Sequence, residues 1–493
     1  MTVILAIPTR GRAEAPASAE WLQRVEISSG WKIKSFAPRS ELDATLLDEA
    51  ARADEGWLDA GPIPATVHDI LLRLGRIEAP WLPHGTQKCF WVGQQDWVYA
   101  VRFSVEEEGR EARLRFMGIE NKVDVYLNGE RLASHANKLP LLVDVSGRLR
   151  SENVLVLHCH ADLRPGQGQR SERGSYLGPN PAISSVGVFD KVLLEISEGH
   201  RFEEVVADAA INETMTRATV TVDVVGVSRL AAVTLQLRLL DPNGACVGED
   251  SVPVTVGQGE FRGRCTVQIE RPSLWWPRGY GDQPLYKVEI ALVAQGRVQE
   301  IEYRTVGFRR VTMPELLHFV VNGVPVFLRG GDWVTLDLMS DVWNTARVDR
   351  LFALAENANF NAFRVWGPAE APPDAFYEQA DARGFLLWQD FARLPMRSDS
   401  KSIATCTEKA RAQIKRLKHH PSILCWCGCN EAAMWAHEDY NKDFTDHGPW
   451  GGLPAAEAVG AVCKELDPAR YYLPSSPYFG MNPNDPREGN THG

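Results

Sequence analysis

The residues with the most chemical reach sit in the last third of the chain, each just after a short apolar run: Asp332 and Trp333, Arg364 and Trp366, Asp390, and the pair Asn430-Glu431. A carboxylic acid can protonate a leaving oxygen, and arginine, aspartate and asparagine can hydrogen-bond hydroxyls. A tryptophan face can stack on the C–H side of a sugar ring. Gathered on one rim, this set suits a polyhydroxylated ring. Taken singly, each residue could instead be a helix cap or part of a rim ion pair. Four successive strand ends carrying such residues favour a site.

The elements that must position them follow a strand–helix rhythm that begins after Pro314. Strands are expected at Val326-Phe-Leu328, Phe363–Trp366, Phe385–Trp388, Ile423–Cys427 and Tyr472-Leu473. Helices are expected over Ala346–Ala358, Pro373–Arg383, Ala404–Leu417 and Val459–Leu466. Such alternation predicts a parallel sheet, and strands this short predict a (β/α)8 TIM barrel, whose reacting groups sit at the C-terminal strand ends. A full barrel needs eight strands and roughly 250 residues. Residues 313–493 offer five strands, so the barrel is expected to be incomplete.

Upstream the grammar is β. Asp96–Val105, Arg113–Phe116, Lys122–Leu127 and Asn153–His158 alternate apolar and polar residues, and Asn128-Gly129 supplies a hairpin turn. A jelly-roll sandwich is expected over residues 1–199. Ala218–Val224, Ala232–Leu239 and Tyr286–Leu292, with the turn Asp241-Pro-Asn-Gly244, predict an immunoglobulin-like sandwich without helices over 200–312. The fold class is therefore multidomain β plus α/β, with the incomplete barrel over 313–493.

Composition narrows the function. A net charge of −11 disfavours nucleic acid or an anionic membrane as partner. The 15 tryptophans fit a carbohydrate ligand as well as a large core. Nine scattered cysteines do not form a disulfide framework, the N-terminus lacks a signal-peptide pattern, and no run is long enough to span a membrane; cytoplasm is the expected compartment. Cys425-x-Cys427-x-Cys429 and His419-His420-Pro421 could be read as metal ligands, but packing on a strand and a turn before it are the simpler roles. The run Lys409–Lys418 reads as a solvated helix face. No metal or cofactor is expected, and the expected partner is an oligosaccharide or glycoside substrate. Oligomeric state is not legible.

The string Cys427-Gly-Cys-Asn-Glu431 resembles the Asn-Glu motif of the β-galactosidase, β-glucuronidase and β-mannosidase superfamily, glycoside hydrolase family 2. The surroundings are similar too: Pro272–Pro277, Gly281–Tyr286 and Val306–Arg309, then Asn322–Trp333. Asn359–Gly367 and Leu387–Phe391 resemble the β-mannosidase branch. The likeness runs from about residue 90 onward. It implies a retaining exo-glycosidase with Glu431 as general acid/base and Asn430 on the sugar's 2-hydroxyl. Arg364, Trp366, Asp332, Trp333 and Asp390 would line the substrate site. The final Asn490-Thr-His-Gly493 is similar to the family's Gly-Asp-x-His segment, which adds His492.

Two stretches depart from the branch. Tyr176–Ser185 stands where a Gly-Trp-Asp-Trp-Gly motif is expected, and Gly367-Pro-Ala-Glu370 replaces a glycine run. An exo-β-glucosaminidase-like specificity therefore stands beside mannosides. The family nucleophile is a glutamate on a seventh strand, beyond Gly493; Glu438 and Asp439 lie on the wrong loop for that role. The sequence reads as a fragment of a larger enzyme, with a non-catalytic carbohydrate-binding protein as the alternative.

Overall fold

The structure, a computed structural model, describes residues 3–4, 22–39, 41–105, 111–120, 122–136, 139–161, 185–334, 336–337, 342–369, 371–392, 394, 399–433, 453–478, 487 and 490. Residues 176–184, Glu370, Glu438, Asp439 and His492, all of which entered the sequence reading, lie outside this set. The chain forms two compact units. One is Met1–Arg201 with Arg297–Gln299 and Leu336–Asn344; the other is Phe202–Gly296, Glu300–Thr335 and Thr345–Gly493. Among the described residues no helix is long and apolar enough to cross a membrane.

The first unit is a β-sandwich. Its larger sheet runs, edge to edge, Glu130–His135, Val123–Leu127, Glu152–Cys159, Asp96–Ser104, Trp31–Phe36 and Leu58–Gly61, with Val3–Ile4 also on Asp96–Ser104. Trp97, Tyr99, Val101 and Phe103 point inward to meet Leu114 and Phe116 of the second sheet. Their alternates Val98 and Ala100 are buried as well, with Tyr126 and Val156, in a cluster that includes Ala50 of the helix Ala44–Arg52. The half-buried alternation expected for Asp96–Val105 is thus a strand covered on both faces. The Asn128-Gly129 turn has φ of 52° and 86°, the left-handed pair a tight hairpin demands.

The expectation of β-structure alone in this region needs correction. Helices occupy Ala44–Arg52, Val67–Arg73 and Gly85–Cys89. The second carries a reciprocal cap between Thr66 and Asp69, a Thr-x-x-acid pattern that local sequence supplies.

The second unit opens with another sandwich. Its sheets are Arg201–Ile211, Arg217–Val227 and Glu260–Glu270 against Cys246–Thr255, Ala232–Leu240, Tyr286–Ala294 and Arg297–Val306. No helix interrupts residues 201–312. Near-perfect alternation, as in Ala218, Val220, Val222 and Val224, fills its core.

The rest of the unit alternates strand and helix: β1 (Gly330–Trp333), α1 (Thr345–Asn357), β2 (Ala362–Val365), α2 (Asp374–Arg383), β3 (Leu386–Asp390), α3 (Ser400–Leu417), β4 (Ile423–Cys427), α4 (Leu453–Leu466) and β5 (Tyr471–Leu473). The five strands pair in sequence order, all parallel. One boundary moves. The apolar Val326-Phe-Leu328 is not a strand, and Phe327 is 74 % exposed; the strand begins at Gly330 instead. A Cβ on Gly330 would lie 1.9 Å from the Ala362 carbonyl oxygen, so glycine is what lets β1 approach β2.

The sandwich and the parallel sheet of this unit are tied at the start of β4. Arg309 donates to the carbonyls of Pro421 and Ile423, and Arg470 donates to those of His420 and Ile423. His420 Nδ1 lies 2.6 Å from buried Asp381, which also accepts from the Ser422 N–H. The His-His-Pro turn is therefore part of the scaffold.

Candidate active site

Parallel pairing fixes which side chains share a face. Asp332 of β1 is registered on Arg364 of β2, and Arg364 on Trp388 of β3. Two residues further along β3, on the same face, comes Asp390. The intervening Gln389 points away, to the Tyr377 hydroxyl of α2 at 2.9 Å.

Arg364 is the hub. Its Nη2 donates to Asp390 Oδ2 at 2.7 Å and to Asn430 Oδ1 at 2.9 Å, and its Nη1 is 3.9 Å from Asp332 Oδ2. The Asp390 side chain is wholly buried and also accepts the Gly367 N–H at 3.0 Å; that of Arg364 is 15 % exposed. Burial alone would lower the Arg364 pKa, but the adjacent Asp390 carboxylate outweighs it and holds the guanidinium above its ordinary value. The pair is a fixed, neutralised platform that presents Asn430.

Glu431 comes next, where β4 has ended. Asn430 bridges to Ser476, the Glu431 N–H donates to the Ser476 carbonyl at 2.8 Å, and the Ser476 N–H donates back to Cys429. Between these bonds Glu431 takes φ of 62°, a left-handed conformation that costs a residue with a side chain on the order of 1–2 kcal/mol. The flanking pairing holds that turn.

A cavity of about 610 Å³ is lined by Asp332, Arg364, Trp366, Trp388, Asn430 and Glu431, among others. Four of the six are polar and convergent and two are aromatic, the mixture a sugar ring needs. Asp390 does not line it but supports Arg364 from below. Trp333 is elsewhere. Consecutive strand residues face opposite ways, so with Asp332 toward the cavity Trp333 packs outward on Phe376, Phe363 and Phe352, at ring separations of 4.6, 5.9 and 6.1 Å.

Trp388, Ser476 and Asn490 also line the cavity, although none was among the site residues expected from the sequence. Trp388 follows from parity, two residues before Asp390. Its indole N–H is buried with no hydrogen-bond partner among the described residues. Asn490 Nδ2 donates to Ser476 Oγ at 2.7 Å, a contact across 14 residues that no local pattern announces.

The cysteines on and just after β4 are packed thiols. Cys427 and Cys429 donate to the carbonyls of Cys429 and Pro474. Burial raises the pKa of Cys425 and Cys427 and pushes Cys429 up to about 12.

Two family models match the chain upstream of this site. One, described as glycosyl hydrolase 2 galactose-binding domain-like, covers residues 35–191; the other, glycosyl hydrolases family 2, covers residues 200–309. The chain belongs to glycoside hydrolase family 2. A β-mannosidase B of Thermothelomyces thermophilus is 27% identical over 90% of this chain and 57% of its own length. One from Aspergillus fumigatus is 26% identical over 96% and 59%. Among solved structures, a β-D-mannosidase from Dictyoglomus thermophilum superposes with a TM-score of 0.82 at 24% identity, over 96% of this chain and 60% of that one. A putative β-galactosidase from Bacteroides fragilis gives 0.69 at 20%, over 92% and 63%. Within family 2 the chain stands in the β-mannosidase branch. It spans less than two thirds of the length of these relatives.

Proposed function

We propose that the chain provides the acid/base side of a retaining, exo-acting β-glycoside hydrolase of the β-mannosidase kind, with Glu431 as general acid/base. The domain order is jelly roll (1–199), immunoglobulin-like sandwich (200–312) and, from 313, a (β/α)8 TIM barrel to which β1–β5 belong. The observation that carries the reading is the fixed Arg364–Asp390–Asn430 network, which places Asn430 and Glu431 together on the cavity wall.

In this mechanism Glu431 protonates the glycosidic oxygen as the aglycone leaves, then takes a proton from the water that attacks the glycosyl-enzyme. Asn430 and Arg364 hold ring hydroxyls, and Trp366 stacks on the sugar. A retaining enzyme needs a second carboxylate about 5–5.5 Å from the first. Asp390 is held by Arg364, so it is not assigned that role; the family resemblance implies a glutamate nucleophile on a seventh strand.

Asp332 favours a second specificity. Its side chain is 47 % exposed and sits near an arginine already engaged by Asp390, which leaves excess negative charge at the rim. That charge suits an amino sugar, as in an exo-β-glucosaminidase. Aryl β-mannosides and aryl β-glucosaminides, offered to the wild-type protein and to Glu431→Gln, test both readings. Hydrolysis of either substrate, abolished in the variant, supports the enzyme and names the sugar. Sugar binding without turnover would support the non-catalytic alternative.

A further inference from the structure

The first unit holds a buried polar cluster that the chemistry above does not use. Asp96 opens the strand Asp96–Ser104, Asp124 lies on Val123–Leu127, His158 is on Glu152–Cys159, and His160 follows that strand by one residue. The three strands are neighbours, with Glu152–Cys159 in the middle. By parity Asp96, Asp124 and His158 share the face of Val98, Tyr126 and Val156, so the cluster caps one end of a covered apolar layer. The four side chains are between 0% and 9% exposed.

Each histidine leans on its own carboxylate. His158 Nε2 is 2.7 Å from Asp96 Oδ2, and His160 Nε2 is 2.8 Å from Asp124 Oδ2. The two imidazoles face one another with centroids 4.0 Å apart. Asp124 has a cationic partner, Arg131 Nη2 at 2.7 Å. Asp96 accepts from the N–H groups of Arg39 and Ala161 and from His158, but from no arginine or lysine side chain among the described residues. His158 Nδ1 is buried with no hydrogen-bond partner. A buried carboxylate without a permanent counter-charge and a buried imidazole nitrogen without a partner are each unfavourable. A cation seated between His158 Nε2 and Asp96 would give the carboxylate its counter-charge.

We propose that Asp96, His158 and His160 bind one divalent cation of the zinc class, which takes the place of the hydrogen bond between His158 Nε2 and Asp96 Oδ2. One ligand atom from each residue lies within 4.8 Å of the other two. Zinc bonds of about 2.0–2.1 Å set tetrahedral ligands roughly 3.4 Å apart, so side-chain rotations on the order of 1 Å close the set. Two imidazoles and a carboxylate select zinc, cobalt or nickel over magnesium or calcium, which want oxygen alone. Asp124 serves as the outer carboxylate that fixes the His160 ring. The bound ion clasps three adjacent strands at one end and stabilises the unit without entering the hydrolytic reaction.

The test uses the full 493-residue chain without a histidine tag, carrying Cys246→Ser because Cys246 is the exposed thiol. After chelator treatment and dialysis, zinc chloride is returned at micromolar concentration. One equivalent of zinc per chain is expected, with a melting temperature that rises in zinc chloride and not in magnesium chloride. Cobalt chloride should give a tetrahedral visible spectrum without a thiolate charge-transfer band. His158→Asn and His160→Asn should lose the equivalent, whereas His318→Asn on the surface keeps it. Binding below about 0.2 equivalents, undiminished binding in the two variants, or a thiolate band would overturn the site. Should the variants fail to fold, the parent chain decides: no zinc-dependent rise in its melting temperature overturns the proposal.

Discussion

Arg364 Nη2 sits 2.7 Å from Asp390 Oδ2, an ion pair whose carboxylate has no exposed side-chain surface and whose guanidinium also grips Asn430. Such a pair does two jobs. It removes the cost of a buried charge, and it sets the position of a residue on the next strand end.

Breaking it should therefore be costly. Asp390→Asn keeps the shape but leaves Arg364 uncompensated in a mostly buried position, and losing one partner of a buried pair costs about 3–5 kcal/mol. Urea denaturation should show an unfolding free energy lowered by about that amount. Arg364→Met, which removes the other charge, should recover part of the loss when combined with Asp390→Asn.

Glu431 lends itself to a separation of stability from chemistry. Its left-handed φ of 62° is native to glycine. Glu431→Gly should leave the melting temperature unchanged or raise the stability by about 0.5–1 kcal/mol, whereas Glu431→Val should lower it. Differential scanning calorimetry reads both, and neither variant should keep acid/base function.

The two tryptophans next to predicted site carboxylates and arginines should part company. Trp333→Ala opens a hole among Phe352, Phe363 and Phe376 and should cost about 3–5 kcal/mol of stability. Trp366→Ala should barely change stability and should weaken sugar binding, read by calorimetric titration, because its side chain lines the cavity.

A pH dependence follows from His68. Burial, the largest influence, lowers its pKa to about 4 from an ordinary 6.5, so the folded protein holds it neutral. The unfolded chain binds the extra proton between those values. Its contribution is complete above pH 6.5 and shrinks as pH falls toward 4, by about 3 kcal/mol in total at 1.36 kcal/mol per pH unit. Between pH 7 and 4 the wild type should lose about 3 kcal/mol more unfolding free energy than His68→Leu, read from urea denaturation.

How much of this was legible depended on the range of the information. The strand Ile423–Cys427 and the Asn430-Glu431 pair beyond it are local and were readable, because an apolar run followed by a polar pair marks a strand end. The start of β1 was not, because apolarity favoured Val326-Phe-Leu328 and only the closeness of Ala362 explains why Gly330 belongs to the strand. Trp333 was assigned to the rim with Asp332 although the pleat sends neighbours to opposite faces. The Asn490–Ser476 contact and the Asp96–His158 pairing join residues 14 and 62 positions apart, and no single-sequence pattern encodes either.

The role of Glu431 is tested most directly by azide. The protein is prepared with Glu431→Ala and given dinitrophenyl β-mannoside with sodium azide. A dinitrophenyl group departs without protonation, so a glycosyl-enzyme can form and azide can take the place of water that Glu431 would have activated. The account expects β-mannosyl azide, with turnover of the variant raised at least tenfold by azide. An α-mannosyl azide product, or wild-type activity retained in Glu431→Ala without azide, would contradict the assignment.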